Sequence, residues 1–170
     1  MGEVEPVGNQ FNELYMTNSA TDVFFDVLTL AGSALAVSPW EQNLVLYFAD
    51  GHRHDRGFSG FDLEELPWTD NCREEKEFFL RLIDTALSGH GWDRLPYEPP
   101  HVKKDLAAFK AMLASYIPQP ADSNYLAEPT VGVIRQPDWR ATPNPEQVSP
   151  CPEHGIFSGE LGCRLCPPPP

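Results

Sequence analysis

The chain has no lysine or arginine in its first 52 residues, against seven acids there: Glu3, Glu5, Glu13, Asp22, Asp26, Glu41 and Asp50. Across all 170 residues there are only 12 Lys and Arg against 25 Asp and Glu, a formal net charge of -13. Nucleic-acid binding through a basic surface needs clustered cations that displace phosphate counterions, so this balance argues against it. Long apolar runs are also missing. Val27–Val37 is the nearest approach, and it is shorter than the ~20 residues that a bilayer span takes. A secretory signal needs a positive segment ahead of its apolar core, and every charge preceding Val27 is negative. The expected location is therefore cytoplasmic, with no membrane contact. Lacking too are a G-x-S-x-G elbow, a phosphate-binding P-loop and a dinucleotide glycine fingerprint, so no motif marks a catalytic centre.

What remains is ordinary globular material. Hydrophobic residues make up 41% and charged residues 22%, enough for one compact core. Proline is the outlier at 18 residues. Its placement divides the chain into a flexible N-terminus (1–10), a helical domain (11–117), a Pro-rich arm (118–150) and a short tail (151–170). The fold expected is mainly α, a small bundle of about four helices.

Phe11, Leu14 and Tyr15 are expected in a short helix. A longer one starts near Ser19, where Ser19-Ala20-Thr21-Asp22 resembles a capping box, and Val23, Phe24, Val27, Leu28, Ala31, Ala34 and Leu35 recur at helical spacing. Ser38-Pro39-Trp40-Glu41 is a stronger start signal: a hydroxyl cap, a proline that needs no donor, and a glutamate that can reach back. The apolar run Leu44–Phe48 would also suit a buried strand, but the cap favours a helix stopping at Asp50-Gly51. From Gly51 to Trp68, glycines break the period while Phe58, Phe61, Leu63, Leu66 and Trp68 remain apolar, which predicts a loop pinned onto the core. A third helix follows a cap at Thr69, Asp70 or Asn71, buries Phe78, Phe79, Leu82, Ile83, Ala86 and Leu87, and stops at Gly89. The fourth runs from about His101 to Tyr116, with Lys103, Lys104 and Lys110 on its solvated face. Seven prolines between Pro118 and Pro150 predict extended arm, with one short strand at Thr130–Arg135 and Trp139 as an anchor.

The tail carries the clearest chemistry. It reads Cys151-Pro152-Glu153-His154-Gly155, then seven residues, then Cys163-Arg164-Leu165-Cys166. Two ligands separated by two residues share one metal because the backbone turns tightly between them. Pro152 restricts the first turn, and Gly155 can take a positive φ just beyond the second ligand. Three thiolates and an imidazole complete a tetrahedron and leave no position for water. Cys151, His154, Cys163 and Cys166 are therefore the expected ligands of one structural zinc ion. A redox role for Cys163 and Cys166 would need a helix N-terminus behind the motif, and Pro167–Pro170 forbid one.

This pattern resembles the zinc knuckles of zinc-ribbon and treble-clef modules, in which a CPxCG-type turn presents two ligands. The resemblance covers the segment from Cys151 to Cys166 and implies nothing about the main body. His154 stands where the second Cys is usual, and the eight residues between His154 and Cys163 are few for a full ribbon.

A rival constellation is Asp50-Gly51-His52-Arg53-His54-Asp55. In an extended segment His52 and His54 point to one side and could share a metal with Asp55, completed by His90 or His101, as in a metal-dependent hydrolase. No H-E-x-x-H pattern accompanies them. Cys72, in the first turn of the third helix, has no partner base in sequence, and Glu64 and Glu65 fall on different faces of any regular element. The leading expectation is a non-catalytic binding protein of the adaptor, inhibitor or immunity/antitoxin kind. Its acidic N-terminal part would meet a basic protein partner through its field.

Overall fold

A computed structural model describes residues 3–6, 12–15, 18–51, 63–95, 97, 102–120, 141–159 and 162–166. Two short strands, β1 (Glu3–Pro6) and β2 (Asn12–Tyr15), form an antiparallel ribbon, followed by α1 (Asn18–Leu35), α2 (Pro39–Ala49), α3 (Cys72–Leu87) and α4 (Val102–Ser115). Single 3-10 turns lie at Leu63–Glu65 and Trp92–Arg94. Among the described residues the fold is mainly α with four helices, as its patterning predicts. The short helix expected over Phe11–Tyr15 is corrected: Asn12–Tyr15 is a strand paired with Glu3–Pro6. One helical turn carries the full nucleation cost with nothing to propagate, whereas a ladder with residues 3–6 satisfies the same backbone groups.

α1 is the central element and packs against α2, α3 and α4. Phe24, Phe25, Val27, Leu28, Leu30 and Ala31 are all buried, and so are Asp26 and Thr29. A helix enclosed on every side must pair its polar groups internally. Thr29 does so by donating its hydroxyl to the Phe25 carbonyl at 2.7 Å. Gly32 makes room for α2, since a Cβ there would lie 2.5 Å from Val45 Cγ2.

The start of α2 is the capping box read from its sequence: the Glu41 amide donates to Ser38 Oγ at 3.2 Å, and the Ser38 amide donates to Glu41 Oε1 at 3.1 Å. Leu44–Phe48 is helical. The stop works differently from the expected glycine cap, because Gly51 does not take a positive φ. Its missing side chain serves packing instead. A Cβ at Gly51 would fall 2.6–2.9 Å from the Phe25 ring.

α3 follows Asn71, whose side chain makes no capping hydrogen bond. The buried Glu75 instead ties the first turn to the segment ahead of it, accepting from the Thr69 amide at 2.9 Å and from the Thr69 hydroxyl. The far end closes on Gly89, at φ +85°. Leu66 and Trp68 are buried, with Trp68 stacked on Trp40 at 5.4 Å and donating its indole N–H to the Leu63 carbonyl at 2.8 Å. That end of the 51–68 loop is thus pinned as its apolar residues predict, while 52–62 lie outside the described residues.

Of the arm, residues 118–120 and 141–150 are described. Pro118 and Pro143 are buried, and Asn43 Nδ2 donates to the Ala141 carbonyl at 2.9 Å. The strand expected at 130–135 and the anchor Trp139 lie outside the described residues. Among those described, no helix is long and apolar enough to cross a membrane.

Candidate metal centre

The tail turns back onto the bundle through its own apolar residues. Ile156, Phe157 and Cys163 belong to the same buried core as the helices. The Phe157 amide donates to Ser33 Oγ of α1 at 2.9 Å, and the Ser158 amide donates to the Gln147 carbonyl at 3.0 Å. Two local turns then aim the ligands. In the first, the Gly155 amide donates to the Cys151 carbonyl at 2.8 Å and the Cys151 amide to the Ile156 carbonyl at 2.9 Å. Gly155 adopts φ +70°, the conformation its position after the second ligand predicts. In the second, Gly162 at φ +83° turns the chain into Cys163, and the Cys166 amide donates to the Cys163 carbonyl at 3.3 Å.

These turns bring Cys151, His154, Cys163 and Cys166 together, with their ligand atoms all within 4.8 Å of one another. His154 Nδ1 faces all three sulfurs, 3.8 Å from Cys151 Sγ, 3.7 Å from Cys163 Sγ and 3.4 Å from Cys166 Sγ. Cys151 Sγ and Cys166 Sγ are 3.6 Å apart, and no disulfide joins any of the four cysteines. A tetrahedral ion with bonds of about 2.3 Å to sulfur and 2.0–2.1 Å to nitrogen has edges of roughly 3.8 Å between sulfurs and 3.5 Å from sulfur to nitrogen. The three separations from His154 Nδ1 and the one between Cys151 and Cys166 match those edges. This Cys₃His group could hold a metal ion, and its donor set fits one.

The thiols differ in acidity. Burial opposes ionisation of Cys151, but hydrogen bonds from the backbone and ring of His154 and from the Glu153 amide bring it down to about 6. Burial raises Cys163 despite bonds from the Leu165 and Cys166 amides. Cys166 is pushed up to about 12 by burial first, then by its bonds to Cys151 and Cys163 and by their charge. Three adjacent sulfurs can all carry charge only where a cation lies among them.

One residue of the motif leaves the site altogether. Arg164, between the last two ligands, has a side chain only 1% exposed, and its Nε lies 2.5 Å from Asp26 Oδ1 in α1. Tyr97 donates its hydroxyl to the other oxygen of that carboxylate at 2.5 Å. Burial pushes the Asp26 carboxyl up, against the pull of Arg164 and Tyr97. In the sequence Arg164 stands out only as a residue between two expected ligands. The available signal was an acid, Asp26, in the apolar run of α1 with no basic residue within reach on its own helix.

Among the described residues, the other candidates are not gathered into a site. His52, His54, Asp55 and His101 lie outside the described residues, so the rival constellation has no described geometry. Cys72 is half-buried, its thiol donating to the Pro118 carbonyl at 3.6 Å. Glu64 and Glu65 are exposed on one 3-10 turn. Lys103 lies over the Trp92 ring, and Lys110 pairs with Asp84 at 2.7 Å, which makes both part of the helix surface. Compared with known proteins, the chain matches no family model, no curated protein and no solved structure.

Proposed function

We propose that this chain is a non-catalytic, acidic binding protein whose tail is closed by one structural zinc ion held by Cys151, His154, Cys163 and Cys166. The observation that carries the reading is one imidazole nitrogen 3.4–3.8 Å from three sulfurs, two of which lie 3.6 Å apart, with all four atoms within 4.8 Å of one another. Four protein ligands fill a tetrahedral shell, so the ion has no open position at which to activate water or bind substrate. Thiolate and imidazole donors suit zinc, whereas carboxylate and water suit magnesium, calcium or manganese. Such a site stabilises structure: it fixes a segment too short to bury a core of its own. Cysteines kept as ligands also fit a reducing, cytoplasmic compartment.

The binding role rests on charge. A stretch of 52 residues with seven acids and no Lys or Arg produces a field that speeds encounter with a basic protein and repels nucleic acid. An adaptor, an inhibitor or an immunity-type protein would use such a surface.

Metal analysis of the full chain purified without added metal tests the reading. One zinc per chain is expected, lost in Cys163→Ser and retained in His52→Ala. Two ions per chain, one of them lost with His52→Ala, would instead favour the hydrolase. Affinity capture at low and high salt tests the partner: a basic protein released by salt is expected, and salt-insensitive or acidic partners would contradict the charge argument.

A further inference from the structure

Besides packing Ile156 and Phe157 into the core, the metal-binding segment sends one buried charged side chain, Arg164, onto the end of a helix. The C-terminus of α2 leaves carbonyls without intrahelical donors, and no basic residue occupies its last turn. Arg164 supplies what is missing from 113 or more positions away in sequence. Its Nη1 donates to the carbonyls of Phe48 at 3.3 Å, Ala49 at 3.1 Å and Gly51 at 3.2 Å. Its Nη2 donates to the Asp22 carbonyl at 3.3 Å, and its Nε to Asp26. A single guanidinium therefore caps α2, complements the negative end of its dipole and neutralises the one buried acid of α1. The segment meets α2 at a second point. Gly159 passes so near Asp50, the residue at the α2 C-cap, that a Cβ on Gly159 would run into the Asp50 carboxylate.

We infer that Arg164 is a metal-set latch: occupancy of the Cys₃His site holds Arg164 in the α1–α2 junction and thereby closes the last turn of α2, and metal loss opens it. The inference rests on the zinc reading above. Arg164 lies between Cys163 and Cys166, so an ion that binds both fixes the backbone on either side of it. Without the ion, only Ile156, Phe157 and one guanidinium are left to order the 16 residues from Cys151 to Cys166, against the conformational entropy of that chain. The junction then loses its cation, and Asp26 keeps only the Tyr97 hydroxyl. The coupling is reciprocal, so whatever weakens the Asp26–Arg164 contact weakens metal binding by the same factor. The device makes the exit of the chain from α2, at Gly51, responsive to zinc or to a competing thiophilic metal.

Amide hydrogen exchange on the full chain tests this, with Asp50 and Gly51 as reporters. Their amides close the helix by donating to the Leu46 and Phe48 carbonyls at 3.1 and 3.0 Å. Removing zinc with a chelator is expected to speed their exchange about tenfold or more, with a smaller change at Phe78–Ile83 in α3. Arg164→Met, loaded with one zinc, is expected to exchange fast at Asp50 and Gly51 already, and chelation should then add little. If wild type binds one zinc but these amides exchange alike with and without it, the latch is wrong and the metal site stands. If chelation unfolds the whole chain, the zinc-loaded Arg164→Met protein decides. Protection equal to wild type in that variant overturns the latch, and selective loss at Asp50 and Gly51 supports it. Absence of any bound zinc in wild type would remove both readings.

Discussion

Arg164 and Asp26, 138 residues apart, meet at 2.5 Å between the tail and the central helix. Both side chains are nearly excluded from water, at 1% and 11% exposure. Such a pair gains Coulomb energy only after a large desolvation cost, so its net contribution to stability is small. Removing one partner is a different matter, because the survivor is left buried and uncompensated.

Arg164→Met should therefore destabilise the fold by about 3–5 kcal/mol, as for other broken buried pairs. Asp26→Leu should cost a similar amount. The double variant Arg164→Met/Asp26→Leu should lose clearly less than the sum of the two, since no orphaned charge remains. Urea unfolding of the four proteins, loaded with the same metal, measures this. Additive losses would show that the two residues do not act as a pair.

Tyr97 predicts an alkaline signature. Burial first, and then the charge and hydrogen bond of Asp26, push its hydroxyl well above the usual tyrosine value of 10.0. The folded state thus keeps a proton that the unfolded chain releases. Its contribution is fully present below pH 10 and is lost as pH rises through the higher folded value. Stability of the wild type should fall more steeply above pH 10 than that of Tyr97→Phe. Parallel curves in chemical denaturation between pH 9 and about 11 would contradict the assignment.

Two glycines should respond to substitution for different reasons. Gly51→Ala forces a methyl against the Phe25 ring and should cost about 1–3 kcal/mol as overpacking. Gly162 has open space around it but φ +83°, so Gly162→Ala should cost about 1–2 kcal/mol of backbone strain. Asparagine separates the cases. Gly162→Asn should recover part of the loss, because Asn tolerates the left-handed region, and Gly51→Asn should be no better than Ala. Equal behaviour of the two sites in urea midpoints would refute the distinction.

Much of this architecture is legible in one-dimensional pattern. The Ser38–Glu41 box, the apolar stripe of α3 and the paired C-P-x-H and C-x-x-C turns all depend on residues within four positions of one another. Local spacing is enough for such features. What escapes the sequence depends on distant partners. Asn71 is a good cap by type, yet its side chain caps nothing, and the start of α3 is fixed instead by Glu75 bonding back to Thr69. Gly51 reads as a conformational stop but answers to the ring of Phe25, 26 residues earlier. Phe11, Leu14 and Tyr15 suggest a helical turn, but Asn12–Tyr15 is settled by pairing with Glu3–Pro6. Arg164 reads as an incidental charge in a metal turn, and only the return of the tail onto α1 and α2 gives it five acceptors.

X-ray absorption at the zinc edge of the full-length protein tests the central claim most directly. The account predicts a four-coordinate ion with three sulfurs at about 2.3 Å and one nitrogen at about 2.0–2.1 Å. A first shell containing a water oxygen, or only nitrogen and oxygen donors, would contradict a closed Cys₃His staple.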